Sequence, residues 1–287
     1  MIDKTIIVTG ANAGIGKETA IALAKKGSRI IMACRNQDTG KSSQDEIIRK
    51  SGNTNIVLKK LDLSSFQSIR DFAEDVNRTE HRLDVLIHNA GVWLSKNLKN
   101  DNGIDLTMAT NQFGPFLLTH LLIDLLKKSV PSRIVVVSSC SHFFGNLNFD
   151  NSNLYIPSYF PHLNYFNSKF ANVCFANELA LRLKEFNITV NSLHPGMIKT
   201  DIWNNIPALL IWPITILSKI CFKTVEQGSE TMVYLSSSSE VENVTGKYYV
   251  DCKKSYMSKR TRNSEFNKKF WEICKSNVDL RNTDPSI

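Results

Sequence analysis

The chain has 287 residues, 42% apolar and 22% charged, with a formal net charge of +8. With 13 Gly, 8 Pro and no low-complexity tract, it is not a disordered, collagen-like or repeat protein, and its length suits one large α/β domain with its own core. The charge is uneven: residues 247–275 hold nine Lys or Arg against three Asp or Glu, which accounts for +6, and the rest is near neutral.

In chain order, short β-branched runs at 6–8, 29–33, 56–61, 85–88, 134–137 and 188–193 alternate with longer amphipathic stretches. The latter predict helices at about 15–27, 39–51, 65–80, 103–128, 163–186 and 223–237, with a last strand at 247–250. This is the pattern of β-α-β units, and the strands are apolar enough to be buried on both faces. Right-handed crossovers then build a doubly wound, Rossmann-like parallel sheet of about seven strands with helices on both faces, in a single domain. Ligands of such sheets bind at the carboxyl ends of the strands, where the order reverses.

The six cysteines, Cys34, Cys140, Cys174, Cys221, Cys252 and Cys274, are scattered, with no CxxC pair and no His cluster beside them. Neither a disulfide framework nor a metal site is expected, and a reducing compartment fits. The sequons at Asn77, Asn187 and Asn243 then read as chance matches. The first strand begins at Lys4-Thr5-Ile6-Ile7-Val8, so no signal peptide or leading membrane span is expected and the protein reads as cytoplasmic. The longest apolar stretch, 206–222, is interrupted by Pro207, Pro213, Thr215, Ser218 and Lys219. A membrane span needs ~20 mainly apolar residues, so this stretch reads as a surface or pocket-covering helix pair. The basic 247–275 segment carries no regular helix stripe and no nucleic-acid motif. It reads as a solvated face or a contact for an acidic membrane or ligand surface, and nucleic acid is not an expected partner.

Strand one runs into Thr9-Gly10-Ala11-Asn12-Ala13-Gly14-Ile15-Gly16, and a helix starts near Ile15. Glycines there let the backbone turn tightly and let a pyrophosphate approach the positive helix end. After strand two, a cofactor with a free ribose 2′-OH would usually meet an acid. The sequence instead offers Arg35, which can form charge-assisted bonds to a 2′-phosphate and stack on adenine, so NADP is expected over NAD. Asp62-Leu63 ends strand three and His88-Asn89-Ala90-Gly91 ends strand four. Asp62 reads either as an adenine contact or as the cap of the next helix, and Asn89 either as a cofactor contact or as a tie between strands. Ser138-Ser139 ends strand five, and Tyr165 and Lys169 share one face of the next helix at spacing i, i+4. A free tyrosine, with pKa ~10, is a poor acid-base group at neutral pH. An adjacent ammonium is expected to lower that pKa and fit Tyr165 to exchange a proton with a carbonyl/alcohol oxygen.

With Thr-Gly-x-x-x-Gly-x-Gly, Asn-Ala-Gly, Tyr-x-x-x-Lys and Pro-Gly in this order, the chain resembles the short-chain dehydrogenase/reductase family over nearly its whole length. The resemblance implies that Ser139 polarises the substrate oxygen, Tyr165 is the acid-base residue, and Lys169 holds the nicotinamide ribose. It further implies that Asn111 holds a proton-relay water and that Pro195, Gly196 and Thr200 cover the nicotinamide. The cofactor set is then Gly10, Asn12, Gly14, Ile15, Gly16, Arg35, Asp62, Leu63, Asn89, Ala90, Gly91, Tyr165, Lys169, Pro195, Gly196 and Thr200. The cofactor-binding part spans about 1–140, and the catalytic and substrate-covering part about 140–287. More narrowly, residues 14–20, 33–35, 116–122, 193–196 and 246–253, with the long stretch 146–163 between Ser139 and Tyr165, resemble the microsomal retinol dehydrogenase branch. That branch prefers NADP and handles retinoids and other lipid aldehydes.

The expected reaction is therefore NADP(H)-dependent interconversion of an alcohol and an aldehyde or ketone on an apolar substrate. Steroid, prenyl or xenobiotic carbonyls are the alternative substrates, and a non-catalytic NADP-binding scaffold is the alternative function. Two departures stand out. The N-terminal anchor of many relatives has no counterpart, so integral membrane residence is not expected, although 206–222 and 247–275 could together touch a membrane surface. His88 replaces the usual first Asn of Asn-Asn-Ala-Gly and is given no catalytic role. A homodimer is compatible with this reading.

Overall fold

The structure is a computed structural model that describes residues 1–149, 162–198 and 223–287. Its strands are β1 (Thr5–Thr9), β2 (Arg29–Cys34), β3 (Ile56–Lys60), β4 (Val85–His88), β5 (Ser132–Val137), β6 (Ile188–His194), β7 (Tyr248–Val250) and β8 (Lys253–Ser255). They form one sheet in the order β3-β2-β1-β4-β5-β6-β7-β8, parallel through β7. The order reverses between β1 and β4, where Ile6 pairs with Val85. Alternate residues go to opposite faces, and both faces are buried. Ile7, Ile31, Leu86, Ile134 and Val190 enter one core, and Ile6, Val8, Ile30, Ile87 and Val135 enter the other.

The second core is closed by α1 (Gly14–Lys25), α2 (Gln37–Ser51) and α7 (Val225–Ser237). The first is closed by α3 (Phe66–Thr79), α5 (Gly114–Lys128), α6 (His162–Arg182) and α8 (Ser264–Asn277). Side chains at the helix starts fix the boundaries. Asn36 accepts from the N–H groups of Asp38 and Thr39, and Ser65 from that of Ser68. Thr224 and Gln227 form a reciprocal capping box.

The structure adds detail at three places. The sheet has eight strands, because Asp251 and Cys252, both at positive φ, make the tight turn that pairs exposed β8 antiparallel to β7. The basic segment, where no helix was expected, contains one: Asn267, Phe270, Trp271 and Cys274 are the buried face of α8, a narrow stripe among lysines. The helix expected at 103–128 is interrupted. A short turn, α4 (Leu106–Met108), leads into a π-helical turn at Ala109–Phe113 before α5 begins. The 206–222 stretch lies outside the described residues.

Trp271 inserts between α5 and α6, with its ring 4.8 Å from that of Phe116 and the Arg182 guanidinium 4.3 Å above it. The C-terminal tail is tied down where Arg70 makes a bidentate pair with Asp284 at 2.8 and 2.9 Å.

Candidate active site

The carboxyl ends of β1 and β4 open onto a cavity of about 470 Å³. Gly10, Asn12, Gly14, Ile15, Gly16, Arg35, Asp62, Leu63, Asn89, Ala90 and Gly91 all line it, so residues from the ends of four strands meet at one place. Gly10 and Gly14 have φ of +68° and +52°, which side chains disfavour. A Cβ on Gly16 would strike the Gly10 carbonyl and the Asn89 carboxamide. The turn therefore lies directly against α1. That helix starts with no side-chain cap at Ala13, leaving its first N–H groups for an anion in the cavity.

The structure shows what Asn89 and Asp62 bond within the protein. Asn89 ties the strands: its Nδ2 donates to the Thr9 carbonyl at 2.8 Å, while the Thr9 hydroxyl accepts from the N–H groups of Asn89 and Ala90 at 3.0 Å. It still forms part of the cavity wall. Asp62 does not cap α3, since that place belongs to Ser65. It accepts instead from the N–H and hydroxyl of Ser64 at 2.9 and 2.6 Å. Arg35 is exposed at the rim, with no hydrogen bond or ion pair to a described residue. His88 points into the core, its Nε2 2.8 Å from the Thr119 hydroxyl. Burial lowers its pKa to about 3, so it is neutral and takes no part in the cavity.

α6 lies behind Gly91, which lines the cavity, and none of Asn111, Ser139, Tyr165 and Lys169 is itself part of that lining. A Cβ on Gly91 would lie 3.4 Å from Lys169 Nζ and 3.3 Å from Asn111 Oδ1, so this glycine lets both side chains come up to the cavity wall. Lys169 Nζ donates to the Val137 carbonyl at 3.0 Å and lies 5.6 Å from the centre of the Tyr165 ring. Ser139 starts a 3-10 turn, with its hydroxyl accepting from Ser141 N–H at 3.2 Å. Asn111 sits in the π-helical turn, a feature frequent at functional sites. Its side chain accepts from Val92 N–H at 2.8 Å and donates to Val92 O and the Ser168 hydroxyl at 2.9 Å. Its carbonyl accepts from Asn172 Nδ2 at 2.7 Å. Pro195 and Gly196 follow β6, with Gly196 at φ +98°, and do not reach the wall of this cavity. Just beyond them Ile198 pairs with Lys223, so the chain leaves and returns side by side. Thr200 lies outside the described residues.

The electrostatics differ from expectation at one point. Tyr165 is 7% exposed and Lys169 4%. Burial raises the Tyr165 pKa, a shift only partly opposed by a hydrogen bond from Ser139. Burial also lowers the pKa of Lys169, to about 8, which leaves its amine mostly charged at neutral pH. Tyr165 is thus a protonated acid at neutral pH. Its ring stacks on Trp93, with centroids 4.2 Å apart and planes 4° apart.

The comparisons agree with this geometry. Residues 4–209 match the family model described as short chain dehydrogenase. Human retinol dehydrogenase 14 is 39% identical over 295 residues, covering 98% of this chain and 88% of that protein. The chain belongs to the short-chain dehydrogenase family. Within it, this short-chain dehydrogenase is of the retinol dehydrogenase-like branch, for bovine retinol dehydrogenase 12 is also 39% identical, covering 98% of the chain and 88% of that protein. Among solved structures, an uncharacterized protein from Mycobacterium paratuberculosis superposes with a TM-score of 0.78 at 26% identity, covering 98% of this chain and 95% of that one. A short chain dehydrogenase from Shigella flexneri in complex with NADP has the same fold, with TM-score 0.69, 24% identity and coverage of 88% and 98%. As a member of this family of oxidoreductases, the protein uses a nicotinamide cofactor.

Sequence reasoning passed over Trp93, Ser168 and Asn172. The last two lie on the same turns of α6 as Tyr165 and Lys169, so helical periodicity from those two residues would have found them. For Trp93 no spacing rule points the way.

Proposed function

We propose that the protein is an NADP(H)-dependent oxidoreductase that interconverts an alcohol with an aldehyde or ketone, its substrate being apolar: retinol/retinaldehyde or another lipid aldehyde. The observation that carries this reading is the gathering of Ser139, Tyr165 and Lys169 behind Gly91, a residue of the wall of a cavity that Arg35 also lines, with no partner among the described residues. The glycine turn, the uncapped start of α1 and the free guanidinium fit a dinucleotide with a phosphate on its adenosine ribose. Bound there, the cofactor supplies or accepts the hydride.

In the reduction direction, the hydroxyls of Ser139 and Tyr165 donate hydrogen bonds to the carbonyl oxygen as negative charge develops on it. Tyr165 then delivers its proton. Lys169 favours the resulting phenolate by its charge, and Asn111 fixes the 89–92 loop against α6. The retinol dehydrogenase relatives support an apolar substrate. Peripheral contact with an anionic membrane surface through 247–275 belongs to the same proposal. There, Lys253 and Lys254 are exposed on β8 and Tyr256 is 82% exposed. Among the described residues no helix is long and apolar enough to cross a membrane.

The test is a panel of retinaldehyde, medium-chain aldehydes, farnesal, steroids and quinones, read by oxidation of NADPH and of NADH. Turnover of an apolar carbonyl with NADPH preferred is the expected result. Cofactor binding without turnover of any member would favour a non-catalytic scaffold.

A further inference from the structure

We propose that Trp93 is a positioning residue for Tyr165 and that His162 holds Trp93 in place, an inference that rests on the acid-base reading of Tyr165 above. The indole lies parallel to the Tyr165 phenol at 4.2 Å, and its Nε1–H donates to His162 Nδ1 at 2.9 Å. Val92, the preceding residue, is held by Asn111 through both its N–H and its carbonyl. Trp93 is therefore fixed at its backbone and at the tip of its ring. His162 and Tyr165, three positions apart, face the same way on α6, so the hydrogen bond and the stack fasten the indole to a single helical surface. Phe166 closes the edge of the indole at 5.7 Å in a T-shaped contact.

This arrangement has a consequence for the hydroxyl. The phenol oxygen lies on the axis of the second side-chain torsion, so it is moved by the first torsion, which swings the whole ring. A parallel aromatic face at van der Waals distance restricts that freedom. Lys169 does not supply the restriction, because its amine bonds the Val137 carbonyl and stands 5.6 Å from the ring centre. Proton transfer is sensitive to such placement, since a displacement of ~1 Å costs on the order of 10²-fold in rate. Trp93 and His162 need not touch the reacting atoms, because their effect passes through Tyr165.

The experiment measures single-turnover reduction by NADPH of whichever of retinaldehyde, decanal and 9,10-phenanthrenequinone the wild type reduces fastest. NADPH affinity is measured alongside. Trp93→Leu should slow the step by roughly tenfold to a hundredfold at saturating substrate, with NADPH affinity within about twofold of wild type, as expected for a residue off the dinucleotide path. Trp93→Phe keeps a stacking face and should recover most of the rate. His162→Ala should slow the step, and His162→Asn, whose side-chain oxygen can accept from the indole N–H, should restore it.

A wild-type or faster rate in Trp93→Leu would overturn the proposal, as would loss of rate and NADPH affinity in equal measure. If Trp93→Leu does not fold, the His162→Ala and His162→Asn pair decides by the same criterion. Failure of the underlying reading is separately visible: an inactive wild type, or a Tyr165→Phe variant that turns over like wild type, removes the acid-base assignment whatever Trp93 does.

Discussion

Replacing Arg35 by alanine tests the cofactor assignment at its most exposed point. The guanidinium stands at the cavity rim with no partner among the described residues, so its removal breaks no bond to any of them, and a surface change of this kind alters stability by less than ~0.5 kcal/mol. A 2′-phosphate would gain from it a charge-assisted hydrogen bond, which contributes roughly 1.5–3 kcal/mol, or about one to two decades in Kd. Solvent screening at an exposed site places the expectation near the lower end, about tenfold at physiological salt and more at low salt. NADH lacks the phosphate, and its affinity should fall only by the part that comes from adenine stacking. The assay is fluorescence titration of NADPH and NADH with wild type and Arg35→Ala at two ionic strengths. Equal wild-type affinity for the two cofactors would refute the reasoning. An Arg35→Ala variant that weakens both by the same factor would show that the residue reads adenine rather than phosphate.

Tyr165→Phe should abolish single-turnover hydride transfer while NADPH still binds, because only the hydroxyl that moves the proton is lost; substantial activity would leave the acid-base role unsupported. Lys169→Ala should weaken both binding and turnover. Burial lowers the pKa of His88 to about 3 and of His120 to about 4, against ~6.5 in the unfolded chain. The unfolded state therefore binds more protons below pH 6.5, and stability present above that pH is lost as pH falls toward 4, by about 2 kcal/mol per histidine at pH 5. Thermal melting should show Tm dropping between pH 6.5 and 5, less steeply in His88→Asn, and a flat Tm over that range would contradict the assignment. The protein should co-sediment with anionic vesicles at low salt and be released at high salt, with Lys253→Glu/Lys254→Glu weakening the binding. Each lysine near such a surface contributes ~1 kcal/mol, and wild type left in the supernatant at low salt would end the membrane proposal.

The half of the site that binds the dinucleotide was legible because backbone geometry makes it. Gly10, Gly14 and Gly16 occupy positions where a side chain would clash or be strained, and such needs appear in sequence as glycines at fixed spacing. The strands were legible for a similar reason: burial on both faces demands unbroken apolar runs. What sequence could not resolve depends on neighbours far apart in the chain. Asp62 was open between two roles until Ser65 was seen to cap α3. Helix α8 was passed over because Phe270, Trp271 and Cys274 are few among many lysines, and it is the packing of Trp271 against Phe116 and Phe175 that shows which face is buried. The upward shift of the Tyr165 pKa was missed because spacing on a helix shows proximity to Lys169 but not how completely both groups leave water.

That double burial sets the chemistry's starting point. Desolvation disfavours whichever form of a group is charged, so it holds the tyrosine in its protonated form, while the lysine, its pKa lowered to about 8, stays mostly charged at neutral pH. A proton donor is then available at neutral pH without activation, which suits reduction of a carbonyl. Alcohol oxidation must first deprotonate the phenol, at about 1.4 kcal/mol for each unit by which its pKa exceeds the pH. The Ser139 hydrogen bond is the one described interaction that opposes this cost on the tyrosine itself. Ser139 has one hydroxyl proton, which it can give either to the phenol oxygen or to the substrate oxygen, while the buried amine of Lys169, held to the Val137 carbonyl, adds positive charge on the same face of α6.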